Sequence, residues 1–329
     1  MHDLPLRYFH SVARTGSLSA AAEELHVAVS AVSRQISNLE ENLGLQLFER
    51  KPRGMQLTEP GEVLLAYANR NQLEVRNVIA EMRGLNTLQQ HTITLACPEG
   101  MAWEFLPRVC AQFRAFHPGA SFDLQVVDAA RASQLVKDGV ADIALTFSLT
   151  PTLGVEISLS CDSPISALMP VSHPLASSES LTVQELAQYP LALPHAGSTI
   201  RYLFDIACNL HSMNIVPAYA SHSLGAIYNA VRHSTDVIAL CGAATVSGTA
   251  ARDNLLLVPM SDPQLRQRSL QVQIMAGRKL PVLIRYFLSF LEEQLVSVSQ
   301  PPEPDTPTRS SRSKSGPSGF LRNARIRAR

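Results

Sequence analysis

Val29, Ser30, Ser33, Arg34 and Ser37 stand on one helical face where a solvated surface would carry lysines and glutamates. They are what remains of the run from Ala28 to Gly44 once its buried stripe, Val32, Ile36, Leu39 and Leu43 at steps of 4, 3 and 4, is set aside. Short hydroxyls beside a guanidinium suit a helix pressed into the major groove, where they meet phosphate oxygens and base edges. A plain helical bundle is the other reading of this stretch. Downstream, "LQLFERKPRGMQLTEPG" reads as strand, turn, strand: Leu47-Phe48-Glu49, a tip with Pro52 and Gly54, then Met55-Gln56-Leu57. Arg50, Lys51 and Arg53 at that tip have no acid among them, which puts positive charge where a phosphate backbone would run. Helix and wing together make a winged helix-turn-helix.

Candidates for small-molecule binding lie further along, at strand ends and helix starts: Glu99 and Gly100 in "CPEG", Phe147-Ser148, the run from His195 to Arg201, Ser221 to Ser223, and Cys241-Gly242. Ser198 and Thr199 precede "IRYLFD", and free amides at a helix start suit an anion. Glu99 argues instead for a zwitterion or cation, unless it caps a helix. Arg201 and Ser223 complete this set.

Enzymatic chemistry has little to build on. None of the five cysteines or ten histidines falls in a nucleophile motif such as Gly-x-Ser-x-Gly. Cys97, Cys110, Cys161, Cys208 and Cys241 are odd in number, widely spaced and without a Cys-x-x-Cys pair, so they are expected reduced and mostly buried, with no disulfide framework, metal or cofactor. The formal net charge is +0, so any nucleic-acid site must be local.

These residues need elements to position them. Leu6, Phe9 and Val12-Ala13 predict a first helix stopped at Gly16, and Ser17, also a candidate DNA contact, caps a second by taking the amide of Ala20. From Thr58, a capping residue, the series Leu64, Ala68, Asn71, Val75, Val78, Met82 and Leu85 advances in steps of 4, 3, 4, 3, 4 and 3. Such a two-per-heptad stripe predicts a long helix paired with its twin, Asn71 fixing the register, with packing on the chain's own sheet domain as the alternative. At ~1.5 Å per residue the helix is about 45 Å long and holds two recognition domains apart. A two-fold dimer then calls for an inverted-repeat DNA target.

The runs "TITLAC", "FDLQVV", "ADIALTF", "ISALMPV" and "DVIALCG" alternate with helical stretches, the signature of α/β lobes. The expected layout is a winged helix-turn-helix over 1–58, a linker helix over 59–90, an α/β sensor domain over 91–297 and a disordered basic tail over 298–329. Within that domain, lobe I takes 92–160 and 267–296 and lobe II takes 161–266, and the double crossing between them resembles binding proteins that hold ligand in the cleft. With 46% hydrophobic and 17% charged residues, no window near ~18 consecutive apolar positions and no secretory pattern after Met1, the chain is expected in the cytosol with no membrane contact. A transport solute-binding protein of similar fold would carry a secretory signal and have no use for the wing.

The N-terminal segment closely resembles the DNA-binding domain of LysR-type transcriptional regulators. It matches their pattern at Phe9, Gly16-Ser17, Ala21-Ala22, Leu25, Ser30, Ser33, Ile36, Leu39-Glu40, Leu43-Gly44, Leu47-Phe48, Arg50, Leu57-Thr58 and Gly61. "FLPRVCAQFRAFHPGASFDL", "LVKDGVADIAL" and "SHPLA" extend the likeness to the family's effector-binding domain, so it covers about residues 4–296. The resemblance implies a type 2 periplasmic-binding-protein-like sensor fold and DNA-contact roles for Ser30, Ser33, Arg34 and Gln35. It implies a tetramer built from dimers, with RNA polymerase as a further candidate partner. Many members have Ser-Gln where this chain has Ala28-Val29, so a base-reading glutamine is missing and Val29 is placed to touch a thymine methyl instead. A redox-sensing regulator of the same fold is the alternative. The family's peroxide sensors use two cysteines in the second lobe; here Cys208 stands near the second position and Thr199 at the first.

Overall fold

The chain opens with three helices, α1 (Leu4–Thr15), α2 (Leu18–Leu25) and α3 (Val29–Leu43), followed by the antiparallel strands β1 (Phe48–Lys51) and β2 (Gly54–Leu57). The computed structural model describes residues 4–52, 54–82, 91–147 and 152–299. Local signals set this order. Gly16 takes a left-handed φ of 65°, the Ser17 side chain accepts from the Ala20 amide at 3.4 Å, and Gly44 ends α3 at φ 64°. Phe9, Val12, Ala21, Ala22, Val32, Ile36, Leu47 and Phe48 close a small core. Leu43, expected in the buried stripe, is 47% exposed, because that core ends at Leu39 and nothing covers the last turn. Gly54 is required on two counts: its φ is 123°, and a Cβ there would lie 2.3 Å from the Gly16 carbonyl oxygen.

Helix α4 (Glu59–Met82) follows, with the Thr58 hydroxyl accepting from the Gly61 amide at 3.1 Å as expected of a cap. Its first half departs from the expected seam. Leu64 packs on the winged-helix core, and Ala68 is 2% exposed within one chain, leaving no surface for a second helix. Asn69 Oδ1 accepts from His10 Nε2 at 2.9 Å and its Nδ2 donates to the Lys137 carbonyl at 3.3 Å, while Leu73 packs on the adjoining lobe. This half therefore packs on its own chain, Leu64 on the winged helix and Asn69 and Leu73 on the sheet domain. The side that remains open carries Val63, Tyr67 and Val78, with Asn71 and Val75 half-buried between them. Leu85 lies outside the described residues, as does the Met82 side chain.

Lobe I comprises β3 (His91–Cys97), α5 (Glu99–Trp103), α6 (Phe105–Phe116), β4 (Ala120–Val126), α7 (Ala129–Lys137), β5 (Ile143–Thr146) and β6 (Val155–Asp162). Lobe II comprises β7 (Ile165–Pro170), α8 (Val183–Leu186), β8 (Leu191–Pro194), α9 (Thr199–Leu210), β9 (Tyr219–Ser221), α10 (Leu224–Arg232), β10 (Ile238–Gly242), α11 (Ala243–Ala250), β11 (Leu255–Pro259) and α12 (Pro263–Arg266). The chain then returns through β12 (Ser269–Met275) and α13 (Val282–Ser299) to finish lobe I. The sheet orders are β4-β3-β5-β12-β6 and β11-β7-β10-β8-β9. Strand β6 pairs with β12 through Asp162, so Cys161, assigned from the sequence to lobe II, lies in the lobe I sheet.

Central strands are covered on both faces, which is why they read as continuous apolar runs. Ile93, Leu95, Ile143 and Leu145 face α6 and α13, whereas Ala96 and Ala144 meet Leu135 and Val136 of α7. In lobe II, Ala167, Met169 and Leu193 pack with Phe204 on one side, and Leu168, Ala192 and Cys241 with Tyr228 on the other. Among the described residues no helix is long and apolar enough to cross a membrane. The 298–329 tail expected to be disordered lies outside the described residues beyond 299.

Candidate functional site

The outward face of α3 is built by subtraction. Burying Val32 and Ile36 turns Val29 (44% exposed), Ser30 and Arg34 to solvent, and leaves Ser33, Gln35 and Ser37 at the edge. Glu40 fixes the wing beside it, its Oε1 accepting from the Leu47 and Phe48 amides at 2.8 and 3.1 Å. Between helix and wing lies a crevice of about 550 Å³ lined by Ser33, Ser37, Gln46, Arg50 and Lys51 among others. The wing differs from expectation in one respect. Strand β1 runs on to Lys51, so Arg50 and Lys51 belong to the strand, opposite Met55 and Gly54, and Lys51 pairs with Glu49 at 2.6 Å. The acid was one residue outside the tip as read from the sequence. Arg50 is exposed, Ser17 serves as the α2 cap, and Arg53 lies outside the described residues.

The second site is a cleft of about 1120 Å³ between the lobes. It gathers Glu99, Gly100, Phe147, His195, Ser198, Thr199, His222, Cys241 and Gly242 from separate strand ends, as the sequence pattern expected. Three expected members, Arg201, Ser221 and Ser223, do not line it. Arg201 Nε donates to Asp205 Oδ1 at 2.8 Å one turn along α9, and Ser223 sits behind Glu99 as the cap of α10. Ser148 lies outside the described residues. Ser198 lines the cleft, yet its hydroxyl is taken up by the Arg201 amide at 3.1 Å, which leaves Thr199 as the freer hydroxyl at that helix start.

Glu99 acts as a cap across the lobes. Its carboxylate accepts from Ser223 Oγ at 3.0 Å and from the Leu224 amide at 2.7 Å, joining α5 of lobe I to the start of α10 in lobe II. Glu104 makes a parallel link, accepting from Thr249 Oγ1 at 2.7 Å and from Arg252 at 3.4 Å. Both acids offset the positive end of a helix or a cation, so neither opposes an anion in the cleft.

Arg268 was missed by sequence reading. It is 4% exposed, lines the cleft and stacks its guanidinium 3.4 Å over the Phe147 ring. No local signal marks it among its neighbours Arg266 and Gln267, because only the return from lobe II to lobe I brings it under Phe147. Among the described residues no group of three or more His, Cys, Asp or Glu side chains is placed to hold a metal ion.

Burial pushes the Cys97, Cys110 and Cys241 thiols up to about 12 and the Cys208 thiol up to about 11. Thiols so rarely ionised are poor nucleophiles toward peroxide. Cys208→Ser is therefore expected to leave DNA affinity unaltered with or without hydrogen peroxide, in gel-shift titrations run side by side. A peroxide response that vanishes with Cys208 would revive the redox reading.

Residues 5–62 match the bacterial regulatory helix-turn-helix protein, lysR family, and residues 86–296 match the LysR substrate binding domain. A probable RuBisCO transcriptional regulator of Synechocystis sp. is 29% identical over 325 residues, covering 94% of this chain and 91% of that protein. A probable nitrogen assimilation transcriptional activator of Synechococcus elongatus is 28% identical, covering 78% and 84%. Among solved structures, a full-length OxyR variant from Pseudomonas aeruginosa superimposes with a TM-score of 0.59 at 20% identity, covering 91% of this chain and 96% of that one. Full-length BenM gives 0.51 at 22% identity, covering 92% and 100%.

Proposed function

We propose, for a chain that belongs to the LysR family of bacterial transcriptional regulators, that it reads an inverted-repeat operator as a dimer and that a small molecule between its lobes sets its regulatory state. That it is a DNA-binding regulator with an effector-binding domain, and not an enzyme, follows from the family. The finer reading rests on the exposed α3 face. Val29, Ser30 and Arg34 project from a helix whose other side is locked into the small core, with the Arg50 strand alongside. Guanidinium and hydroxyl groups on such a helix read base edges, and the wing arginines position the duplex through phosphates. Two copies joined along the open side of α4 present two such helices in two-fold relation, which selects an inverted repeat. The dimers pair further into tetramers, a step supported by the family resemblance.

On the sensor side, the cleft is reached from both lobes, and Glu99 and Glu104 bridge it. A ligand between the lobes shifts the regulator only by its differential affinity for their arrangements, and the Glu99 and Glu104 links are contacts that a change of arrangement would have to break. Two relatives are named for RuBisCO and for nitrogen assimilation, so promoters of those kinds are the first operator fragments to try.

The decisive test is Arg34→Ala. Operator affinity is expected to fall by about 1–3 kcal/mol, with discrimination relaxed at the contacted base pair and non-specific affinity nearly kept. A gel-shift titration on operator and scrambled duplexes measures both. Equal losses on the two duplexes would give Arg34 a phosphate role, and no loss would remove it from the interface.

A further inference from the structure

We propose that Arg268 anchors an anionic effector, a small organic acid with an apolar or aromatic body, in the interlobe cleft; this rests on the cleft being the effector site. Arg268 is 4% exposed, and its Nε and Nη1 are buried with no hydrogen-bond partner among the described residues. A guanidinium carries five donors and no acceptor, and a buried one is ordinarily paired with a carboxylate. Here the nearest described compensation is the face of Phe147, 3.4 Å from its central carbon. Burial lowers its pKa to about 9, so it is still a cation at neutral pH.

The acids that line the cleft are already engaged. Glu99 is held by Ser223 Oγ and the Leu224 amide, and Asp128 Oδ1 accepts from the Arg131 amide at 2.8 Å as the cap of α7. Neither carboxylate reaches Arg268, whose buried guanidinium is left without an acid of its own, and an anion is the ligand that pairs it. Gly242, at the start of the eight-residue α11, lets the guanidinium lie against the backbone: a Cβ there would lie 2.7 Å from Arg268 Nη1, 3.4 Å from Ser163 Oγ and 3.5 Å from Thr245 Oγ1, so two hydroxyls stand close to the cation. Ile200, Tyr202, Val127 and Leu224 supply apolar surface elsewhere in the cleft, which fits an acid with a hydrocarbon or ring body.

Arg268 is also placed to pass binding on to the lobes. It stands immediately before β12, at the second crossing, and its carbonyl accepts from the amide of Ser163 at the first crossing at 2.9 Å. Both connections between the lobes therefore meet at the residue that holds the anion.

The test uses the full chain, with benzoate, phenyl phosphate and neutral benzamide as probes and calorimetric titration and thermal unfolding as readouts. One or both anions are expected to bind and to raise the Tm, and benzamide to do neither. A benzoate response alone assigns a carboxylate ligand, and a phenyl phosphate response alone assigns a phosphate. Arg268→Met should weaken the bound anion by roughly 30-fold or more. The ligand-free variant should unfold no earlier than the parent, because an unpaired buried charge has been removed; a lower ligand-free Tm together with unchanged anion affinity would make Arg268 a structural residue and overturn the proposal. Thr199→Trp, which fills the cleft from another side, separates the two readings. Anion binding that survives Arg268→Met but is lost in Thr199→Trp overturns the anchor and keeps the cleft. Binding insensitive to both variants overturns the cleft as well, and parent protein that binds neither anion overturns the anionic class.

Discussion

Tyr67→Asp combined with Val78→Asp is expected to break the proposed α4 pairing, halve the size of the sedimenting species and weaken operator binding by about 10²–10⁴-fold, the usual range when two linked contacts become independent. Tyr67 and Val78 are 50% and 46% exposed, and with Val63 they mark the side of α4 that neither the winged helix nor lobe I covers. In a two-fold pair each substitution faces its own copy or a close neighbour, so four carboxylates would be brought into one apolar seam. Desolvating them costs far more than the seam gains. Sedimentation and gel-shift titration check the two halves of this result. A double variant that sediments like its parent would mean that α4 does not join the copies. Ala68→Asp is the useful contrast, because Ala68 is 2% exposed inside a single chain and its loss should appear as unfolding rather than dissociation.

Asp142→Ala is expected to cost about 3–5 kcal/mol of stability, the range for breaking a buried ion pair from one side. Asp142 Oδ1 accepts from Arg278 Nη2 at 2.7 Å, and its Oδ2 accepts from the Thr94 amide at 2.9 Å. The Arg278 side chain is 5% exposed, and its Nε and Nη1 have no partner among the described residues. Alanine would leave that cation buried and the Thr94 amide unmatched, at the junction of β3, β5 and the turn after β12. Urea unfolding followed by circular dichroism measures the loss. Adding Arg278→Met should recover most of it, because the uncompensated charge is then gone. A single-variant loss below ~1 kcal/mol would mean that water reaches the pair, as it does at surface ion pairs. The comparison with Arg268 is instructive: the two guanidiniums are almost equally buried, yet only Arg278 has its acid.

The winged helix-turn-helix was legible because its signals are local. Gly16, Ser17, Gly44 and Thr58 act within a few residues of their own position, and the stripe of Val32 and Ile36 follows from helix periodicity alone. The strands of the lobes were legible for a related reason, since runs buried on both faces are apolar throughout. The α4 stripe was half legible. Periodicity shows that a helix face is apolar, but not whether Ala68 meets another chain or its own; the tie from Asn69 to His10 and Lys137 decides that, across sequence separations of 59 and 68 residues.

The sequence by itself therefore determined the family, the order of the elements, the exposed face of α3 and the strand ends from which the cleft is assembled. Each depends on spacing within one element. Tertiary structure alone decided what the charged groups in the cleft do. Glu99 is a cap rather than a ligand counter-charge because Ser223 and Leu224, more than 120 positions away, offer their donors to it. Arg201 is lost to the cleft because Asp205 lies one turn along the same helix, and Arg268 is gained because the chain crosses between lobes twice and stacks it on Phe147. A charge in a sequence has no fixed role. Its role follows from which groups the fold brings within hydrogen-bond distance, and from whether water is left to screen it.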